Sequence, residues 1–169
     1  MAITKLIADS ITSGAIASTP AFEVSLASSM TGLSAATDIL VTFNTEKFDI
    51  GSCFNNTGSS TTLNGLTAPA HSFTPNVSGK YFVYGIIRTD ASVSFPNDAY
   101  AKIFKNGSQS EIQQNGSSGS RYLTTIQRTV ELNGTGDYIQ LYGIGYNSNG
   151  LIFAGGTNGS FFGAYRIIE

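Results

Sequence analysis

Lys80-Tyr81-Phe82-Val83-Tyr84-Gly85-Ile86-Ile87-Arg88 is the stretch that decides the fold. It is rich in aromatic and β-branched residues and holds no proline, the composition of a strand. Alternation puts Tyr81, Val83, Gly85 and Ile87 on one face and Phe82, Tyr84, Ile86 and Arg88 on the other. Both faces are apolar. A sandwich strand with one wet face reads apolar-in, polar-out, so this strand needs cover on both sides. Phe161 to Ile168 repeats the pattern, with Phe161, Gly163, Tyr165 and Ile167 opposite Phe162, Ala164, Arg166 and Ile168. The two strands are expected to be neighbours, one face in a core and the other under a loop or, more economically, a second copy of the chain.

Moving outward, further strands are expected at Phe22–Ala27, Ile39–Phe43, Ser72–Phe73, Tyr100–Phe104, Gln109–Gln113, Tyr122–Leu132 and Tyr138–Tyr146. In the last, Ile139 and Leu141 mark the inner face. Tyr138, Gln140, Tyr142 and Tyr146 mark a face that tolerates solvent. Between the strands lie Asn64-Gly65, Asn106-Gly107, Asn115-Gly116, Asn133-Gly134, Asn149-Gly150 and Asn158-Gly159. Asn-Gly favours the type I′ turn, whose two central residues need positive φ. Asn, Ser, Thr and Gly together supply about two-fifths of the chain, which favours strands joined by tight turns. The expectation is an all-β sandwich or barrel, with no helix beyond the N-terminal segment and no internal repeat.

The 169 residues suggest one domain. With 9 Lys+Arg against 11 Asp+Glu, the net charge is −2, and charged residues are only 12% of the chain. That balance offers no basic patch for nucleic acid. No apolar run reaches the roughly 18 residues a membrane-spanning helix needs. A single cysteine, Cys53, rules out an intrachain disulfide, and a single histidine, His71, makes a Cys/His zinc site untenable. Residues 1–20 stand apart. Ile3, Leu6, Ile7 and Ile11 form one narrow helical stripe, closed by Gly14 and Pro20. Asp9, Ser10, Thr12 and Ser13 interrupt the apolar core a signal peptide would need. The segment reads as a frayed terminus or as an arm that docks on another protein.

Catalytic chemistry finds little footing. His71 lacks a plausible nucleophile, since Ser72 points to the opposite face. Cys53 has only Lys47 near it in sequence and reads as a half-buried small apolar residue. The carboxylates are scattered, so neither a glycosidase pair nor a calcium loop stands out, although Asp90 and Asp98 bracket residues 91–97. Gly143-Ile144-Gly145 lies within a strand and lacks the third glycine of a dinucleotide site. Six Asn-x-Ser/Thr sequons, at Asn55, Asn76, Asn106, Asn115, Asn133 and Asn158, are read chiefly as turn chemistry. No enzyme activity, cofactor or metal is expected. Tyr142 and Tyr146 beside Asn147 and Asn149 form the best candidate for glycan binding, because a tyrosine offers a flat apolar face and a hydroxyl.

The order of these motifs is similar to a known family. Phe73-Thr74-Pro75-Asn76-Val77-Ser78-Gly79-Lys80-Tyr81-Phe82-Val83-Tyr84 resembles the F-x-P-x-x-x-G-x-Y-x-F stretch of the C1q/TNF-like jelly roll. Ile103-Phe104-Lys105-Asn106-Gly107 resembles its K-N-G hairpin, and Val130-Glu131-Leu132, Gly136-Asp137 and Ile139-Gln140-Leu141 resemble its V-x-L-x-x-G-D-x-V-x-L run. Phe161-Phe162-Gly163-Ala164-Tyr165 resembles its closing F-S-G-F strand, with Gly-Ala-Tyr as a departure. The resemblance implies a two-sheet antiparallel jelly roll that forms a homotrimer, with the first, last and G-x-Y-x-F strands in the inner sheet. It places Phe22, Tyr81, Phe82, Tyr84, Phe162 and Tyr165 in the core or the trimer interface.

The chain carries no collagen-like stalk, so an animal immune role does not transfer. The amide-rich composition and the first fourteen residues resemble bacteriophage virion proteins that carry such an arm ahead of a C1q-like domain. The resulting expectation is a docking arm at 1–20 and a jelly roll at 21–169. The chain would be a non-enzymatic virion surface protein, a fibre or capsid-decoration component, attached through its arm to a capsid or tail protein. The alternative is a tail adhesin that recognises host surface glycans.

Overall fold

The computed structural model describes residues 18–91, 98–116, 121–146 and 151–167. Among them are thirteen strands and no helix: β1 (Ala21–Ser25), β2 (Met30–Leu33), β3 (Ile39–Leu40), β4 (Thr45–Ile50), β5 (Thr61–Leu63), β6 (Leu66–Ala68), β7 (Gly79–Ala91), β8 (Asp98–Lys105), β9 (Ser108–Gly116), β10 (Arg121–Leu132), β11 (Ile139–Gly145), β12 (Leu151–Phe153) and β13 (Phe161–Arg166). Every strand pairing is antiparallel. The arm residues Ile3, Leu6, Ile7 and Ile11, the loop 92–97, Asn147, Asn149 and Ile168 lie outside the described residues.

The expected centrepiece is the centre of the larger sheet. Along one edge β7 pairs with β10 from Gly79 to Asp90. Its other edge is shared, with β13 alongside Tyr81–Ile86 and β12 alongside Thr89–Ala91. The sheet continues from β13 to β1 and β4, and from β12 to β2. A second sheet runs β3-β11-β8-β9, and β5-β6 is a separate hairpin. β7 and β13 are thus neighbours, as alternation requires.

The inner faces of the two sheets make one core. Phe22 of β1 lies near its middle, fully buried, with its ring stacked on Phe54 at 4.8 Å and Phe73 at 4.5 Å and met edge-on by Phe162 at 5.1 Å. Tyr81, Val83 and Ile87 of β7 and Ile126, Val130 and Leu132 of β10 face the same core as Ala101 and Ile103 of β8 and Ile139 and Leu141 of β11. Burying each large side chain contributes about 1.5–3 kcal/mol. Gly143 of β11 belongs to this packing. A Cβ there would stand 2.5 Å from the Phe153 ring, so the glycine makes room for a large residue of the facing sheet.

The turn chemistry holds in two places. Asn64-Gly65 and Asn106-Gly107 form two-residue loops with both φ values positive, as a type I′ turn demands. The other described Asn-Gly pairs differ. Asn115-Gly116 ends β9 inside its pairing with β8. At Asn133-Gly134 only the glycine has positive φ, and at Asn158-Gly159 neither residue does.

Other expectations need correction. Ser72–Phe73 is not a strand; Phe73 makes single bridges to Phe54 and Ile139. Regular pairing of the segment 39–43 stops at Leu40, while β2, β4 and β12 are short strands that alternation did not reveal. Gln140, read as tolerating solvent, is buried, because its amide donates to the Ala70 carbonyl at 2.7 Å under the loop 69–71.

Candidate functional site

The outer face of the large sheet is built by cross-strand register. One row runs Ile50, Ala21, Tyr165, Phe82, Thr129 across β4, β1, β13, β7 and β10. The next runs Phe48, Glu23, Gly163, Tyr84, Gln127, and a third Thr45, Ser25, Phe161, Ile86, Thr125. The middle of this face is aromatic. Phe82 lies 5.5 Å from Tyr165 and 6.2 Å from Tyr84, and Tyr84 lies 6.3 Å from Phe161. Toward β10 the face turns polar, with Thr125, Gln127 and Thr129 exposed. Among the described residues six large apolar side chains are exposed, and four of them, Phe48, Ile50, Leu123 and Tyr165, are on this face.

One carboxylate is set into this apolar ground. The Tyr84 hydroxyl donates to Glu23 Oε2 at 2.9 Å. Burial, then the bond to Glu23 and its charge, push the Tyr84 phenol well above its ordinary range, so it stays protonated as a donor. Of the six residues expected in the core or the trimer interface, Phe22, Tyr81 and Phe162 are fully buried inside the sandwich, whereas Phe82, Tyr84 and Tyr165 are on the outer face.

The outer face of the small sheet is a second, smaller surface. Tyr100, Lys102 and Phe104 of β8 lie beside Tyr142 and Ile144 of β11. Phe104 and Tyr142 stack at 4.0 Å, and Tyr100 meets Tyr146 edge-on at 5.7 Å. Lys102 Nζ pairs with Asp38 Oδ1 at 2.8 Å. Burial pushes both the Tyr142 and the Tyr100 phenols upward; the neighbouring Tyr138 adds to the first and the Asp98 carboxylate to the second. Of the four residues of the glycan candidate, Tyr142 and Tyr146 are placed on this face. The sequence reading missed Asp38, Tyr100, Lys102 and Phe104. The alternation of β8 carried that signal, with Tyr100, Lys102 and Phe104 on one parity.

The groups considered for catalysis are engaged structurally. His71 is buried with positive φ rather than set in a strand, and its Nδ1 lies 2.9 Å from the Phe43 carbonyl. A carbonyl only accepts, so Nδ1 carries the proton. The Ser72 hydroxyl donates to the Pro69 carbonyl and lies 3.2 Å from Thr74 Oγ1. Neither bond joins His71 to Ser72. Cys53 is fully rather than half buried; burial above all, with the Asp49 charge, raises its pKa despite hydrogen bonds involving Asn76 and Asn64. Asp90 pairs with Arg88 at 2.9 Å. Among the described residues no three His, Cys, Asp or Glu side chains gather as a metal site. Asn55, one of the sequons, is buried with its amide donating to the carbonyls of Ser59, Ala68 and Pro69.

Comparison with solved structures agrees on the fold. Murine APRIL superposes with a TM-score of 0.59 at 10% identity, covering 87% of this chain and 98% of that one. Eiger TNF from S. frugiperda gives 0.58 at 11% identity, over 87% of this chain and 91% of that one. The globular domain of zebrafish complement 1qA protein gives 0.53 at 16% identity, over 88% and 96%. The fold is therefore a C1q/TNF-like jelly roll. No protein-family model and no curated protein matches the sequence.

Proposed function

We propose that this chain is a non-enzymatic, homotrimeric jelly-roll module displayed on a virion surface, held there through residues 1–20. The observation that carries the trimer is the outer face of the large sheet. Phe82, Tyr84, Phe161 and Tyr165 form one aromatic surface there, flanked by exposed Phe48 and Ile50 on β4. A contiguous apolar surface of this kind marks a protein contact. The two-faced strands that build it are the ones that the sequence resemblance assigns to a trimer's inner sheet. Packed around a threefold axis, such a face would be buried on every protomer of a closed ring, and three copies multiply any weak ligand contact by avidity.

The virion setting rests on the amide-rich composition and the N-terminal stripe of Ile3, Leu6, Ile7 and Ile11. The test is deletion of residues 1–20. The shortened chain is expected to remain a folded trimer and to be lost from assembled particles. Incorporation at the normal copy number without those residues would overturn the docking role. Gold labelling on the source particle separates head decoration from a tail component.

A further inference from the structure

We infer that the outer face of the small sheet binds a neutral saccharide, stacking a pyranose ring on Tyr142 or Tyr146 and bonding its hydroxyls to the Asp38–Lys102 pair. This extends the display-module reading by giving the module a ligand class.

Register fixes the layout. Tyr142 stands opposite Lys102 on β8 and opposite Leu40 on β3, and Ile144 stands opposite Tyr100. Asp38, two residues before Leu40, is level with Ile144. Lys102 therefore crosses β11 between Tyr142 and Ile144 to reach Asp38 two strands away. Its side chain is only 10% exposed, while that of Asp38 is 38% exposed. The ion pair is thus a sunken polar strip. On one side of it is the Phe104–Tyr142 stack, and on the other the Tyr100–Tyr146 pair, whose Tyr146 is 43% exposed. Gln114, across from Tyr100, adds an exposed amide that donates to Asp98 at 3.1 Å.

The chemistry of this arrangement matches a sugar more closely than other ligands. A pyranose has an apolar C–H face and a rim of hydroxyls. Aromatic rings held at fixed angles accept the first. A carboxylate and an ammonium already paired accept and donate to hydroxyls with little net charge to satisfy, which disfavours an anionic or cationic ligand. A peptide added as a strand would read backbone groups along a sheet edge, whereas this surface is the middle of a face.

The test is saturation-transfer NMR on the full chain with the methyl glycosides of glucose, galactose, mannose and N-acetylglucosamine. The expected result is transfer to the C–H protons of one ring face of at least one sugar. Tyr146→Ala is expected to weaken that binding by roughly tenfold, and Asp38→Asn to weaken it severalfold. Tyr142→Ala should do the same; because it removes a stacked ring, Tyr142→Phe, which keeps the stack, serves beside it. Transfer from none of the sugars, or transfer unchanged in Tyr146→Ala and Asp38→Asn, would overturn the inference. Native mass on the same samples keeps the two readings apart. A monomer that binds sugar contradicts only the trimer, and a trimer that binds none contradicts only the saccharide site.

Discussion

Gly163 faces Tyr84 across the β13–β7 ladder, and a Cβ on Gly163 would stand 2.5 Å from the Tyr84 ring. The missing side chain lets the ring lie across β13 and bring its hydroxyl to Glu23 on β1, the next strand over. The glycine at this position thus makes room for the aromatic outer face.

Gly163→Ala should therefore displace Tyr84 and break its bond to Glu23. Overpacking of this kind costs about 1–3 kcal/mol, read as a shift in urea midpoint. Because the displaced ring belongs to the proposed contact surface, the native mass should also fall. Tyr84→Phe, which keeps the ring and loses the hydroxyl, should keep the native mass.

Tyr81 predicts alkaline sensitivity. It is fully buried and its hydroxyl donates to the Val77 carbonyl at 2.6 Å. Burial is the main cause that pushes its pKa from 10.0 to about 12. The unfolded phenol loses its proton first, so above pH 10 the unfolded state binds fewer protons and stability falls as pH rises toward 12. The loss is on the order of 3 kcal/mol. Tyr81→Phe should cost about 1 kcal/mol at neutral pH through the lost bond and flatten the decline above pH 10 in denaturant titrations.

Asp137 predicts the opposite limb. It ties two turns together, accepting from Asn106 Nδ2 at 2.7 Å and the Asn133 amide at 3.0 Å and pairing with Lys105 at 2.9 Å. Burial raises its pKa, but the bonds from Asn106, Lys105 and Asn133 outweigh burial and hold it below 3.8. Its contribution is therefore complete above the unfolded value and is lost as pH falls through the folded one. Asp137→Ala should cost about 2 kcal/mol at pH 7. It should also lose less stability than the parent chain between pH 4 and pH 2, a comparison thermal melts at each pH would make.

The strands that sequence reading located are those whose partners are dictated by their own side chains. β7 and β13 are apolar on both faces, so their adjacency was legible. The type I′ turns at Asn64-Gly65 and Asn106-Gly107 were legible because backbone strain selects those residues. Gln140 was not, because its burial comes from the carbonyl of Ala70, seventy residues away in sequence. Alternation does not mark β2, β4 and β12, because each is short or polar and is a strand only through its neighbours. The ion pair of Asp38, just before β3, with Lys102 of β8 reaches across β11, which alternation does not register. The core and outer-face roles of the aromatic set separate by parity: Tyr81 and Phe162 face inward, and Phe82, Tyr84 and Tyr165 outward.

Native mass by sedimentation equilibrium tests the central claim most directly. The full chain at micromolar concentration should give three times 17.8 kDa. Tyr165→Lys, which sets a charge on a side chain that is 41% exposed in the single protomer, should keep the fold and give the mass of one chain. A parent chain that sediments at 17.8 kDa, or a Tyr165→Lys variant that remains a trimer, would contradict the assignment of this face to self-assembly.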